Sequence, residues 1–134
     1  MGFLSKIGRM WEGGQKYNTM AKAMGRIIEL LDKYERHQEL EALYSAAWLC
    51  RVGVMDIIEN YPFSPTATIR VFVYGRTEAM PLHAAYLQTC GRVITKAEDL
   101  PSDQRDFVTG ILEKGPSFYS IDKKIPYENK KQFI

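Results

Sequence analysis

ALYSAAWLCRVGVMDII, Ala42–Ile58, is the stretch on which the fold turns. Wound as a helix it is apolar on nearly every side, with Trp48 and Leu49 facing different ways. A helix without a polar face has to be enclosed by other helices. Residues 42–60 are therefore predicted to form the central helix of the molecule.

Upstream, Met20, Met24, Ile27, Leu31 and Tyr34 recur at three- and four-residue spacing, broadened by Ala23, Ile28 and Leu30. This is the single apolar stripe of an amphipathic helix, with Asn18 or Thr19 as its cap. No glycine or proline occurs between Arg26 and Val52, so Thr19–Tyr61 reads as one helical stretch. The stripe changes phase near His37–Glu39, which predicts two helices or a bent one. At the chain start, Phe3, Leu4, Ile7, Met10 and Trp11 share one side of a short helix and Lys6 and Arg9 lie on the other. Gly13 and Gly14 are expected to end that element, because paired glycines are costly in a helix interior. Residues 1–14 then form an accessory amphipathic arm.

Downstream, Pro62 and Pro65 interrupt the helix. Thr66–Tyr74 carries both signals. It reads first as a short helix after Ser64–Pro65, and alternatively as a strand, since Ala67, Ile69, Val71 and Val73 alternate among β-branched neighbours. For such a strand the expected partner is Phe118–Ile121. A further helix is predicted from between Thr77 and Pro81 to about Glu98, burying Leu82, Ala85, Tyr86, Thr89, Cys90, Val93 and Ile94. The last helix starts at Pro101–Ser102–Asp103, with an acid favoured in its first turn, and stops at Lys114–Gly115. Residues 116–134 lack helical period and read as an irregular tail. The expected architecture is all-α: one domain over residues 1–134, an irregular bundle of about five helices. The alternative is α+β with a short strand at 66–74.

The 134 residues are 46% hydrophobic and 25% charged, the balance of an ordinary globular domain. The longest uncharged apolar run ends at Arg51, far short of the roughly 20 residues of a membrane span. Lys6 and Arg9 interrupt what would be the apolar region of a signal peptide. Cys50 and Cys90 lie in apolar helical patterns without framework spacing and read as reduced core thiols, which places the chain in the cytoplasm. A net charge of +2 supplies no global field for nucleic acid. Its distribution is uneven: Lys6, Arg9, Lys16, Lys22 and Arg26 face Glu12 alone, and an acidic helical body follows.

No catalytic constellation emerges. Neither cysteine sits where a thiolate is stabilised, and there is no phosphate loop or Gly-x-Ser-x-Gly. His37 and His83 lack metal-ligand spacing, so no metal or cofactor is expected. Acid pairs such as Asp32 with Glu35 read as a solvated, ion-paired face. The leading expectation is a non-enzymatic helical interaction or regulatory module, acting through protein–protein contacts with another protein or a second copy of itself. Its contact residues are Phe3, Leu4, Lys6, Ile7, Arg9, Met10 and Trp11. The second reading is a small-molecule or enzymatic pocket between helices, lined by Tyr44, Trp48, Arg51, His83 and Tyr86. The third is peripheral membrane association through residues 3–11, although one short helix buries little apolar area. Gly2 does not add a myristoylation motif, because Lys6 stands where Ser or Thr is required.

Overall fold

The computed structural model describes residues 2–61, 63–64 and 66–115, with side chains described from Gly14 onward. It is mostly helical and contains a two-stranded antiparallel sheet. Helix α1 spans Gly2–His37, and α2 spans Leu40–Cys50. A π-helical turn at Arg51–Met55 leads straight into α3, Asp56–Asn60. Strands β1, Thr68–Val73, and β2, Arg76–Pro81, form a hairpin. Helix α4, Leu82–Tyr86, continues through a second π-helical turn, Leu87–Gly91, into α5, Arg92–Glu98, and α6 spans Ser102–Lys114. Among the described residues the helices thus form four continuous rods, joined by one hairpin.

The apolar stretch is the hub. Every residue from Ala42 to Cys50 is buried, and Val52, Gly53, Val54 and Ile57 extend the buried run. Trp48, Leu43 and Leu49 pack among Met20, Met24, Ile27, Leu30 and Leu31 of α1, and Val108 and Ile111 of α6 complete that core. Each such side chain, fully enclosed, contributes about 1.5–3 kcal/mol of transfer free energy. The helical stretch breaks at Gln38–Glu39. Gln38 adopts a positive φ of 54°, its backbone N–H donates to Tyr34 O at 2.8 Å, and its side-chain amide donates to the Tyr34 and Glu35 carbonyls. These bonds satisfy the last carbonyls of α1 and turn the chain back as an antiparallel pair.

Three expectations need correction. Residues 66–74 do not form a helix: Thr68–Val73 is a strand with Ile69, Val71 and Val73 buried. Its partner is Arg76–Pro81, and Phe118–Ile121 lies outside the described residues. Consequently the next helix starts only at Leu82. The physical reason is the two-residue connection Tyr74–Gly75, with φ of 49° and 74°, the paired positive values of a hairpin turn that matches strand twist. The expected stop at Gly13–Gly14 is also absent, since the helix runs through from Gly2 to His37. Ile94, expected inside, is exposed. Thr89 Oγ1 donates to Ala85 O at 2.8 Å and so competes with the backbone ladder, widening the helix at Leu87–Gly91. Interior positions then fall at Ala85, Thr89, Val93 and Ala97 in steps of four, and Ile94 turns outward.

The hairpin is held edge-on to α1. Ala67 O accepts from Leu82 N at 2.7 Å, so the hydrogen-bonded cross-strand pairs continue as 69/80, 71/78 and 73/76. The main-chain groups of Thr68, Arg70 and Phe72 therefore point away from β2, toward α1. Tyr17 Oη donates to Thr68 O, and the Phe72 carbonyl lies where a Cβ on Gly25 would stand. Further along, Tyr74 N donates to Glu29 Oε2 at 3.1 Å. The helix side advances about 6 Å per four residues and the strand about 6.6 Å per two, so the two elements stay in step.

Candidate functional site

Glu29, Asp32 and Glu35 lie three residues apart on α1, on the side where the hairpin turn and α5 approach it. Tyr74 arrives from the hairpin, its hydroxyl donating to Asp32 Oδ2 at 2.7 Å and accepting from Arg36 Nη2 at 3.3 Å. Arg92 arrives from α5 and divides one nitrogen between Asp32 Oδ1 at 3.3 Å and Glu35 Oε1 at 3.0 Å. Lys96, one turn later, reaches the same Glu35 oxygen at 3.1 Å. Hydrogen bonds from Arg92 and Lys96 hold the Glu35 carboxyl below its ordinary range. Burial, followed by the hydrogen bond to Asp32, pushes the Tyr74 phenol up.

Beside this network is a cavity of about 370 Å³, lined by Glu35, Leu87, Gly91, Arg92, Thr95 and Lys96. The π-helical turn supplies Leu87 and Gly91, and Thr95 Oγ1 donates to Gly91 O at 3.0 Å. Two cations and two carboxylates, Asp32 and Glu35, neutralise one another within hydrogen-bonding distance, so the groove carries little net field. Its lining combines the ion-paired Glu35, Arg92 and Lys96 with Leu87, Gly91 and Thr95. Among the described residues, no group of three or more His, Cys, Asp or Glu is placed to hold a metal ion.

The five residues expected to line an aromatic pocket lie outside this groove. Tyr44 packs edge-on against Phe107 with ring centroids 4.6 Å apart. Trp48 is buried in the core, its Nε1 without a hydrogen-bond partner among the described residues. Arg51 donates to Leu112 O at 2.9 Å, its Nε lies 3.0 Å from Asp56 Oδ1, and Gly115 closes over its stem. His83 is exposed on α4, whereas Tyr86 is half-buried near the two thiols, with its phenol pushed up first by burial. None of the five lines the groove. Phe3, Leu4, Lys6, Ile7, Arg9, Met10 and Trp11 lie where the helix backbone is described but the side chains are not.

Sequence reasoning read Asp32 and Glu35 as part of an ion-paired face, and they are. Their partners Tyr74, Arg92 and Lys96 were not legible there, since those residues are 42 to 61 positions away in sequence. Among the described residues no helix is long and apolar enough to cross a membrane. No family model matches this chain, and no curated protein or solved structure matches it.

Proposed function

We propose that this chain is a non-enzymatic helical interaction module that acts through protein–protein contacts, with the groove between α1 and α5 as a docking site. The observation that carries the reading is that, of the four exposed large hydrophobic side chains among the described residues, all but Phe72 lie on the rod that lines the groove or beside its charge network. Leu87 is 52% and Ile94 41% exposed on the rod that lines the groove, and Tyr74 is 54% exposed beside its charge network. Leaving such groups in water is unfavourable in a chain that otherwise encloses Leu43, Tyr44, Trp48 and Leu49 of α2 in its core. The charges next to them are already paired, so a partner need not desolvate lone ions in order to cover Leu87.

The test compares the full chain with Leu87→Glu and with a chain lacking residues 2–13. Chemical cross-linking in the native cell, with quantitative mass spectrometry, reads the cross-linked neighbours of each. Selective loss of the same neighbours in Leu87→Glu supports the groove, and loss only in the truncated chain moves the contact to Phe3–Trp11. Equal recovery in all three overturns the reading. Flotation of the full chain but not the truncated one with anionic vesicles replaces it with a membrane role for residues 3–11.

A further inference from the structure

One edge of the hairpin is covered, and among the described residues the other is open. The outward main-chain groups of β1 face α1, through Tyr17 at Thr68 and Gly25 at Phe72. By the same alternation, the outward groups of β2 are those of Thr77, Ala79 and Pro81. Thr77 and Ala79 are exposed, and their outer N–H and C=O groups meet no partner among the described residues. Pro81, which has no N–H, blunts the far end of this edge. Arg76 and Glu78 flank Thr77 on the other face of the strand, both exposed and both without an ion-pair partner among the described residues. An open edge of this kind is a template for another strand.

We propose that the β2 edge pairs with the β2 edge of a second copy, antiparallel about a two-fold axis at Thr77, giving a four-stranded sheet. The charges select both occupant and register. With Thr77 opposite Thr77 of the second copy, each Arg76 stands opposite a Glu78, twice by symmetry. Shifting the pairing one way sets Glu78 against Glu78, and shifting it the other way sets Arg76 against Arg76. A larger shift brings Pro81 opposite Thr77 and loses a donor. Only the Thr77 register combines opposite charges with two main-chain hydrogen bonds on the axis, and a Thr–Thr pair is itself favourable between strands. An unrelated peptide gains no such internal symmetry from Arg-Thr-Glu.

This surface is separate from the groove, so the two proposals fail independently. Sedimentation equilibrium of the full chain is expected to show a reversible dimer, with exchange of the Thr77 amide slowed as concentration rises. Arg76→Glu and Glu78→Arg each create like-charge pairs on both sides of the axis and are expected to weaken the dimer by about tenfold or more. Mixing the two variants in equal amounts restores association, because every cross-strand pair is again opposite in sign. The double variant R76E/E78R, with the original net charge, restores it in a single species, and Leu87→Glu leaves it unchanged. A monomer at all concentrations overturns the proposal, and so does a dimer indifferent to both single reversals. Failure of the mixture to recover overturns it as well.

Discussion

Replacing Gly25 with alanine sets two opposing effects against each other. In the middle of α1 the substitution removes a flexible residue, which by helix propensity alone favours folding by about 1 kcal/mol. At this position, however, the new Cβ occupies the space of the Phe72 carbonyl oxygen. The obstacle is main chain, so no rotamer relieves it, and β1 has to move off the helix. Overpacking of that kind costs about 1–3 kcal/mol. The retreat also stretches the hydrogen bonds from Tyr17 to Thr68 O and from Tyr74 N to Glu29, each worth about 1 kcal/mol. The net expectation is a destabilisation of about 2–3 kcal/mol. In a chain of this length that lowers Tm by about 10 °C. Thermal melts followed by circular dichroism, with urea titration as a second measure, read the change. Gly14→Ala is the matched control: Gly14 is exposed, within the same helix, and a methyl group there would meet nothing within 4 Å among the described residues. It is expected to raise stability by up to about 1 kcal/mol. If Gly25→Ala is as stable as the wild type or more so, β1 does not lie edge-on against α1.

Three further outcomes follow from the same geometry. Tyr74→Phe removes the hydroxyl shared by Asp32 and Arg36 and should cost about 1 kcal/mol in urea titration, an exposed group losing less than a buried one; no change would mean the bond is not formed in solution. For Glu35, a folded-state pKa held low by Arg92 and Lys96 stabilises the fold above the ordinary carboxylate pKa and loses that contribution as pH falls through the lowered value. The stability gap between wild type and Glu35→Gln should therefore be widest near neutrality and close in acid, and a pH-independent gap would contradict this. Cys50 is fully buried beside Cys90, and burial, reinforced by that neighbour, pushes its thiol well above the ordinary value. Thiol reagents should modify both cysteines in denaturant and react at least about a thousandfold more slowly with the native protein. Rapid native labelling would show that this part of the core opens.

Much of the helical framework was legible in residue spacing. The enclosure of Ala42–Ile58 followed from the absence of a polar face, and the turn at Gln38–Glu39 from the change of phase in the stripe. The end of α6 at Gly115 likewise came from a local stop signal. The hairpin was harder to read because only β1 alternates. Arg76–Pro81 shows no alternation and is almost wholly exposed, and it is a strand only because Tyr74–Gly75 folds it back onto β1. The groove was half legible. Asp32 and Glu35 announce a charged face, but nothing local says that Arg92 and Lys96 close over it.

Local physics acts through near neighbours in the chain, and it determined where most of the helices form, the apolar stripe of α1 and that α2 is the hub. Tertiary contact decided what those rules leave open. Gly25 is a weakness by helix propensity and becomes the seat of a strand only because Phe72 arrives there from 47 residues away. Thr66–Tyr74, balanced between two conformations in sequence, became a strand once Ile69, Val71 and Val73 could be buried together beside a helix. The physical reason is common to both cases: a conformational preference of about 1 kcal/mol is outweighed by burial and hydrogen bonds that exist only after distant segments meet.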